Sequence, residues 1–348
     1  MLEETGTAEW KCRKYEKVVS DMRMTEKRNR TDGLWGLMVG DALGVPAEFK
    51  SRDKLRENPV TDMTGFGTHN QEAGTWSDDT SMTLATMDSL NHGIDYENMM
   101  KRFKEWLLYN KKYTPHGEVF DAGLVCRRAI MNFTHGFEVL ECGEDGEYSN
   151  GNGSLMRILP AVLYVLKDAQ PLDEEKLEVI HNVSRLTHSH PISLTGCGLY
   201  AFLVEELLKA DAGEDVRTVL QRGIDRGFFH YENGLDKYQA AALWQYRRLE
   251  ELEDFEKLEE DEIQSTGYVA KTLEAALWCL LTTRSFKECV LKAVNLGGDT
   301  DTVAAVAGSL AGYVYGRGVN TGIPEEWLRQ LSRYEWLEER VRAFDQAL

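Results

Sequence analysis

The sequence predicts a single all-α domain, and three observations support this prediction. Apolar residues recur at i, i+3, i+4 and i+7 in several segments, as expected for helices that bury one face. No run of alternating apolar and polar residues is bounded by hairpin-turn signals, so no β-sheet is predicted. The seven prolines are scattered, and no stretch rich in proline, glycine or serine divides the chain.

The composition argues against two classes of partner, nucleic acid and membrane, and indicates the cellular compartment. The 40 basic and 58 acidic residues give a net charge of −18, which argues against nucleic acid because phosphate contacts are built from Lys and Arg. The longest nearly apolar stretch, Val303 to Tyr315, is too short to cross a bilayer, so no membrane partner is predicted. The six cysteines form no C-x-x-C pair, and the first residues do not resemble a signal peptide. We therefore expect a cytoplasmic protein with reduced thiols.

Residues 1–31 differ from the rest and are predicted to form an N-terminal arm, with the helical domain at 32–348. They carry eight basic and six acidic residues, whereas the remaining chain is strongly acidic. Their apolar spacing predicts a short amphipathic helix through Tyr15, Val18, Val19 and Met22. Two interpretations remain open: the arm packs on its own acidic body, or it binds a protein partner.

The first predicted helix of the domain runs from about Leu34 to Leu43. Gly36, Gly40 and Gly44 recur every four residues and leave one face without side chains. Glycine costs a helix about 1 kcal/mol per position, so three on one face predict that another backbone approaches closely. The same argument applies near the other end of the chain, to Ala304, Gly308, Ala311 and Gly312.

A pair of carboxylates, Asp78 and Asp79, stands at the start of the next helical pattern, directly after Ser77. One interpretation is helix capping, with Ser77 as the N-cap and two acids facing the positive end of the helix. The other interpretation is a metal site. This motif alone leaves both open.

Residues 249–262 hold nine acids and one lysine, with leucines and Phe255 every three residues. We predict an exposed helix with one buried edge and assign it no chemistry.

A second acidic pair, Asp299 and Asp301, opens the small-residue helix and is followed by Thr302. A helix cap needs one side-chain oxygen, whereas each acidic pair, together with its neighbouring hydroxyl, supplies several. Like-charged carboxylates near a core are costly unless a cation neutralises them. Oxygen ligands without Cys suit Mg²⁺ or Mn²⁺ and do not suit zinc, so two convergent pairs predict a two-metal centre.

Five motifs then resemble those of a known family. In chain order they are GDALGVPAE at 40–48, WSDDT at 76–80, SNGNGSLMR at 149–157, TH at 187–188 and GGDTDT at 297–302. Their order is similar to that of the ADP-ribosylglycohydrolases, which include the ADP-ribosylarginine hydrolases and the dinitrogenase-reductase-activating glycohydrolase. The resemblance covers about residues 32 to 330.

The resemblance implies a single-domain orthogonal helical bundle with a dinuclear Mg²⁺ or Mn²⁺ centre between helix N-termini. The metal ligands that it implies are Ser77, Asp78, Asp79, Asp299, Asp301 and Thr302. The family usually has threonine where this chain has Ser77. Serine keeps the oxygen but loses the methyl that restrains χ1, so we expect slightly weaker metal binding and an unchanged reaction.

The resemblance also implies which residues contact substrate. Glu48, Asp79 and Asp299 would be catalytic, with the base either Glu48 or an aspartate of the cluster. The diphosphate cradle would include Ser149, Gly151, Asn152, Gly153 and Met156, where a short glycine loop alone would also fit an ordinary turn. Asp121 and Gly123 would lie near the reactive ribose, His188 near the distal ribose or phosphate, and Tyr268 near the adenine. A core position for Tyr268 stays open.

The reaction implied is hydrolysis of the glycosidic bond of ADP-ribose on modified protein side chains, with ADP-ribose as product. ADP-ribosylarginine is the first choice of linkage, and other ADP-ribose conjugates remain open. Two further hypotheses compete with it. One is an immunity or partner-binding protein whose arm blocks an ADP-ribosyltransferase. The other is a catalytically silent relative that only binds ADP-ribose.

Overall fold

The computed structural model describes residues 22–26, 28–109, 112–234 and 237–348, and these residues form helices, turns and loops. Their backbone pairing outside helices is confined to isolated bridges, so the described chain contains no sheet and the predicted all-α fold is confirmed. The helices are α1 Asp32–Gly44, α2 Arg52–Glu57, α3 Asp78–Leu90, α4 Tyr96–Tyr109, α5 Leu124–Thr134, α6 Leu159–Val165, α7 Glu174–Arg185, α8 Pro191–Lys209, α9 Val216–Asn233, α10 Lys237–Leu243, α11 Leu252–Phe255, α12 Val269–Leu281, α13 Phe286–Asn295, α14 Thr300–Tyr315, α15 Glu325–Gln330 and α16 Tyr334–Ala347.

Helices α1 and α14 lie side by side with their backbones in contact. A Cβ placed on Gly36 would lie 2.0 Å from the carbonyl oxygen of Gly308, and one on Gly40 would lie 2.0 Å from that of Ala304. A Cβ on Gly308 would in turn lie 2.3 Å from the carbonyl oxygen of Gly36. The predicted close approach is therefore confirmed at both helices, and each small-residue face is the partner of the other.

This contact joins the end of α1 to the start of α14. A Cβ on Gly44 would lie 2.3 Å from the Cα of Asp301, and the hydroxyl of Thr300 donates a 2.8 Å hydrogen bond to the Gly44 carbonyl. Every residue of both helices is buried. The pair forms the centre of the core and brings Asp41 of α1 within reach of Asp301.

Helix α8, Pro191–Lys209, is long and apolar enough to match a membrane span by length and composition. However, 83% of its apolar window is buried inside the protein. Packing in the core accounts for its composition.

Residues 249–262 do not form the single exposed helix that the sequence predicted. They contain α11 of four residues and a 3₁₀ turn at Glu260–Glu262. Leu249, Leu252 and Phe255 are buried, as the spacing of three required. The prediction was wrong because side chains three apart also share a face in 3₁₀ turns, so the spacing does not require a continuous helix.

The part of the predicted arm that the structure describes lies against the helical body. Met22 and Met24 are buried, and the Met24 N–H donates to the Glu214 carbonyl at 2.9 Å. The Arg28 guanidinium donates to the carbonyl of Ala210, just after α8, at 2.6 Å. Met22 is not in a helix, and Tyr15, Val18 and Val19 lie outside the described residues. Binding of a partner by the arm stays a prediction.

We predict that Gly40→Ala lowers the free energy of unfolding by about 1–3 kcal/mol, the usual cost of overpacking. The added methyl meets a backbone carbonyl, which cannot rotate away as a side chain would. Alanine would otherwise gain about 1 kcal/mol of helix propensity, so the clash must outweigh that gain. Urea unfolding followed by circular dichroism measures the difference.

The matched control is Gly146→Ala, at an exposed position where the nearest atom to an added Cβ is the Ser149 hydroxyl oxygen at 3.6 Å. It should change the unfolding free energy by less than about 0.5 kcal/mol, as surface substitutions do. A Gly40→Ala variant as stable as this control would show that α1 and α14 can separate without cost.

Candidate active site

The N-terminus of α3 is capped by a residue from another helix. The backbone N–H of Ser77 donates to both carboxylate oxygens of Asp41, at 2.9 and 3.1 Å, and that of Thr80 donates to Asp41 at 3.0 Å. The Ser77 hydroxyl accepts from the Asp79 N–H only at 3.4 Å. Asp41, which lies in the GDALGVPAE motif, therefore does the capping. The carboxylates of Asp78 and Asp79 are not needed for it.

The start of α14 follows a turn that only glycine fits. Gly298 has φ +73°, and a Cβ there would lie 2.1 Å from the carbonyl oxygen of Ser265. The turn leads into Asp299, whose side chain makes no capping hydrogen bond to its own helix. Instead, its Oδ2 accepts a 2.8 Å hydrogen bond from the side-chain amide of Asn152. Simple capping therefore does not explain Asp299.

The two acidic pairs meet in the folded chain. Oδ2 of Asp79 accepts hydrogen bonds from the hydroxyls of Ser77 and Thr302, each at 3.2 Å. Oδ1 of Asp79 and Oδ2 of Asp301 are buried and have no hydrogen-bond partner. Buried oxygens of this kind are rare because each loses its hydration without compensation. The first turns of α3 and α14 thus share one buried cluster with two unused oxygens.

Burial and mutual repulsion both disfavour negative charge in this cluster. Burial raises the pKa of Asp79 well above its ordinary value, and the neighbouring Asp41 and Asp78 add to the rise. Burial likewise raises the pKa of Asp301, with Glu48 and Asp79 as the repelling neighbours. Such a cluster is stabilised by a cation or by protons.

The cluster can hold divalent cations. Carboxylate oxygens of Asp41, Asp79 and Asp301 lie within 4.8 Å of one another, and so do those of Glu48, Asp299 and Asp301. Asp301 belongs to both groups, so two adjacent positions would share it. The donors are oxygens alone, which suits Mg²⁺ or Mn²⁺. Because Asp41 is occupied by the α3 backbone, Asp79 and Asp301 offer the free oxygens.

Glu48 follows α1 and stands over the cluster. It is buried, and its carboxylate forms a hydrogen bond with Nε2 of His69. Burial raises the Glu48 pKa to about 7; the His69 contact opposes this rise, and Asp121 and Asp299 add to it. The contact with Glu48 in turn raises the pKa of His69. The pair can share a proton near neutral pH.

The cluster opens into a cleft of about 360 Å³. Most of the substrate residues suggested by the family resemblance line it together with part of the cluster. They are Glu48, Asp78, Asp121, Gly123, Gly151, Asn152, Gly153, Met156, His188, Asp299 and Thr302. Ser77, Asp79 and Asp301 are buried and do not line it. The cleft lining contains no lysine or arginine among the described residues.

The glycine loop forms one wall of the cleft. The Asn152 N–H donates to the Gly267 carbonyl at 3.0 Å, and Gly151 pairs with Tyr268 in an isolated bridge. A Cβ on Gly153 would lie 2.8 Å from Cε1 of His188, so this glycine packs directly on the imidazole edge. The loop is therefore fixed from both sides.

Two of the predicted substrate residues have other contacts. The hydroxyl of Ser149 donates to Glu144 at 2.8 Å, and Ser149 does not line the cleft. The Tyr268 hydroxyl donates to Gln245 at 3.1 Å, and its ring is only partly buried. Tyr268 is thus not a core tyrosine. It stands beside the glycine loop, outside the cleft lining.

Sequence reasoning missed two residues beside Glu48: His69, which contacts its carboxylate, and Phe49, which follows it in the chain. His69 stands alone in a polar loop with no motif around it, so no local signal identified it. Phe49 lines the cleft, is 70% exposed and has φ +62°, a conformation that non-glycine residues adopt rarely. An exposed phenylalanine directly after Glu48 leaves no signature in composition or periodicity.

Comparisons with known proteins agree on one family. The profile described as ADP-ribosylglycohydrolase matches residues 23–348. The chain is 30% identical over 305 residues to the ADP-ribosylarginine hydrolase Tri1 of Serratia proteamaculans, covering 87% of this chain and 75% of that protein. It is 31% identical over 300 residues to the ADP-ribosyl-(dinitrogen reductase) glycohydrolase of Rhodospirillum rubrum, covering 85% and 87%. A solved structure described as an ADP-ribosylglycohydrolase-related protein complex superposes with a TM-score of 0.72 at 31% identity, covering 91% of this chain and 97% of that one.

We predict that Asp79→Asn raises thermal stability in EDTA, because it removes one charge from a buried, mutually repelling cluster. The same variant should lose most of the stabilisation by Mn²⁺. A ligand at about 100 times its dissociation constant stabilises a protein by about 2.7 kcal/mol, so the loss is easily measured. Calorimetric melting with and without Mn²⁺ gives both quantities.

Asp88→Asn is the matched control. Asp88 is a buried carboxylate of the same helix, but Lys112 lies 2.7 Å and Arg102 3.7 Å from it. Its replacement should lower stability equally with and without Mn²⁺. If Asp79→Asn behaved like this control, the cluster would not be a cation site.

Proposed function

This chain belongs to the ADP-ribosylglycohydrolase family, and we propose that it is a divalent-metal-dependent hydrolase that releases ADP-ribose from arginine side chains of modified proteins. The observation that carries the proposal is the meeting of the two acidic helix starts, with an unpartnered oxygen on Asp79 and another on Asp301. Because Asp41 caps α3, these oxygens are free for cations.

Two Mg²⁺ or Mn²⁺ ions are the proposed cofactors. Ser77, Asp78, Asp79, Asp299, Asp301 and Thr302 would hold them. When bound, such ions neutralise the cluster and stabilise charge on oxygen ligands of the substrate. The hydroxyls of Ser77 and Thr302 already point at Asp79 and orient its carboxylate. Asn152 does the same for Asp299.

The cleft orients the substrate between the carboxylate cluster and the glycine loop. Gly151 has no side chain, so a diphosphate can approach the backbone N–H groups of the glycine loop. Asp121 and Gly123 also line the cleft, and the Gly123 N–H donates to Asp78 at 3.1 Å. A ribose held there would present its anomeric carbon to Glu48. Holding reacting groups in place contributes much of the rate in such reactions.

Glu48 is the proposed general base for the attacking water. Unlike Asp79, it lines the cleft, and His69 fixes the orientation of its carboxylate. Its pKa of about 7 suits proton transfer near neutral pH. Glu48 can then pass the proton taken from water to the departing guanidine nitrogen, which leaves as a guanidinium and restores the carboxylate, while His69 holds the carboxyl group in both states.

The choice of arginine rests on charge and on the relatives. An arginine leaving group is a guanidinium, which carries a positive charge. The cleft is lined by Glu48 and Asp121, and no lysine or arginine lines it among the described residues. Two relatives named ADP-ribosylarginine hydrolase Tri1 are 30% and 31% identical to this chain over the aligned residues. A serine hydroxyl carries no charge that these carboxylates could attract. Cytoplasmic location stays a prediction.

We predict metal-dependent release of ADP-ribose from an arginine-modified protein and little release from a serine-modified one. Mg²⁺ or Mn²⁺ should support turnover. EDTA should abolish turnover because it removes the ions that neutralise the carboxylate cluster. Asp79→Asn should be inactive because it removes one of the oxygen ligands. Chromatography of released ADP-ribose measures each rate.

Turnover in EDTA would contradict metal dependence, and near-normal activity of Asp79→Asn would contradict the cluster assignment. Release from the serine-linked substrate alone would keep the family reaction and overturn the arginine assignment. Binding of ADP-ribose without turnover of either substrate would favour a silent binder.

Glu48→Gln should lower kcat by about 10²-fold or more, within the usual contribution of a general base, with little change in KM. Glutamine keeps the size of the side chain and a contact for His69 but cannot take a proton. Glu118→Gln, at an exposed position, is the control and should be fully active. A kcat equal to that of the control would assign the base to an aspartate instead.

A further inference from the structure

Arg157 is a buried cation without a carboxylate partner. It is 0% exposed, and no ion pair with it occurs among the described residues. Its guanidinium donates to the Val183 carbonyl at 3.2 and 3.3 Å and to the Thr187 hydroxyl at 2.7 Å, and it lies 4.7 Å above the Phe103 ring. Its Nε has no hydrogen-bond partner. A buried charge left without an opposite charge is costly, so its position needs an explanation.

The contact with Thr187 links Arg157 to the cleft. A guanidinium only donates, so the Thr187 oxygen must accept from Arg157. The same oxygen lies 2.9 Å from Nδ1 of His188. With one lone pair committed to Arg157, the hydroxyl proton is free to be donated to Nδ1. His188 then carries its own proton on Nε2.

Nε2 of His188 faces the cleft. His188 lines it together with Gly151 and Gly153, and a Cβ on Gly151 would lie 3.4 Å from Nε2. This nitrogen has no hydrogen-bond partner within the described residues. Burial lowers the His188 pKa to about 3, and the charge of Arg157 adds to the decrease, so the ring is neutral.

A neutral ring with Nε2–H is a hydrogen-bond donor, which is what an anionic ligand needs. The other tautomer would present a lone pair to the same anion and would repel it. The cleft is lined by acids and, among the residues that the structure describes, by no cation, so a donor at this place matters. Arg157 itself adds a positive potential behind the loop without exposing a charge that would pair with the carboxylates.

One other arrangement is available. Thr187 also lies close to the thiol of Cys126, which lines the cleft. If the hydroxyl proton turned to that sulfur, Nδ1–H would donate to Thr187 and Nε2 would be an acceptor. The contact between Nδ1 and the Thr187 oxygen exists in both arrangements, and the second adds only a weak O–H···S contact. The first arrangement is favoured because it turns an N–H, rather than a lone pair, toward a cleft lined by carboxylates.

We propose that Arg157 and Thr187 are positioning residues that hold His188 as a neutral Nε2–H donor to an anionic oxygen of the ligand. Under the proposed function, on which this step rests, the oxygen belongs to the diphosphate of ADP-ribose.

The first measurement is the imidazole ¹⁵N spectrum of the metal-loaded protein, with His188→Asn used to assign the resonance. We expect a pyrrole-type shift at Nε2 and a pyridine-type shift at Nδ1. Thr187→Val should lose this preference, because it keeps the shape but not the hydroxyl. Thr187→Ser should restore it. The opposite tautomer in the wild-type protein would overturn the proposal without any variant.

The second measurement is calorimetric titration with ADP-ribose. Thr187→Val should bind about tenfold more weakly, as expected for loss of one hydrogen bond to a charged group. Thr195→Val is the control, because Thr195 is a buried threonine of α8 whose hydroxyl has no partner. It should bind like the wild type. Unchanged tautomer and affinity in Thr187→Val would overturn the proposal.

The two proposals fail separately. If the wild-type protein neither releases ADP-ribose from the modified substrates nor binds it, the proposed function fails while the ¹⁵N spectrum still decides the tautomer. If ADP-ribose binds and His188 carries its proton on Nδ1, the positioning role fails and the proposed function stands.

Discussion

The backbone contact between α1 and α14 is the constraint on which the site depends. Because Gly40 and Ala304 face each other without intervening side chains, the end of α1 lies against the start of α14. Asp41 can then reach the first turn of α3, and Asp301 comes close to Asp79. Any side chain that separated the two helices would also separate these carboxylates. The close packing of α1 on α14 is therefore required for the geometry of the site.

At the start of α3, one carboxylate caps the helix and two others do not take part in capping. Asp41 satisfies the backbone of α3 with both of its oxygens, so Asp78 and Asp79 keep theirs for other partners. Burial raises the pKa of each of these groups, which shows that the fold holds them in an environment unfavourable to charge. Under the proposed function, the protein gives up stability at this place in return for a preformed set of oxygen ligands, a common compromise at functional sites.

The glycine loop and His188 form a part of the cleft wall that carries no carboxylate. Under the proposed function, a ligand with phosphates enters a cleft whose lining includes Glu48, Asp121 and Asp299. A surface lysine or arginine would bind these carboxylates rather than the ligand. Here the positive charge of Arg157 is buried, while Gly151, Gly153 and His188 line the cleft. Negative and positive parts of the site are thus kept apart.

The sequence by itself determined what local patterns encode. Periodicity predicted the helices, the spacing of Gly36 and Gly40 predicted a close backbone, and the acidic pairs marked the position of the site along the chain. In residues 249–262 the spacing of three fits both an α-helix and 3₁₀ turns, and the helix predicted from it was wrong. Only the tertiary structure decided that α14 is the partner of α1, that Asp41 caps α3, and that His69 holds Glu48. These pairings join residues that no shared period or motif connects, and they form because burial in one core brings distant segments together.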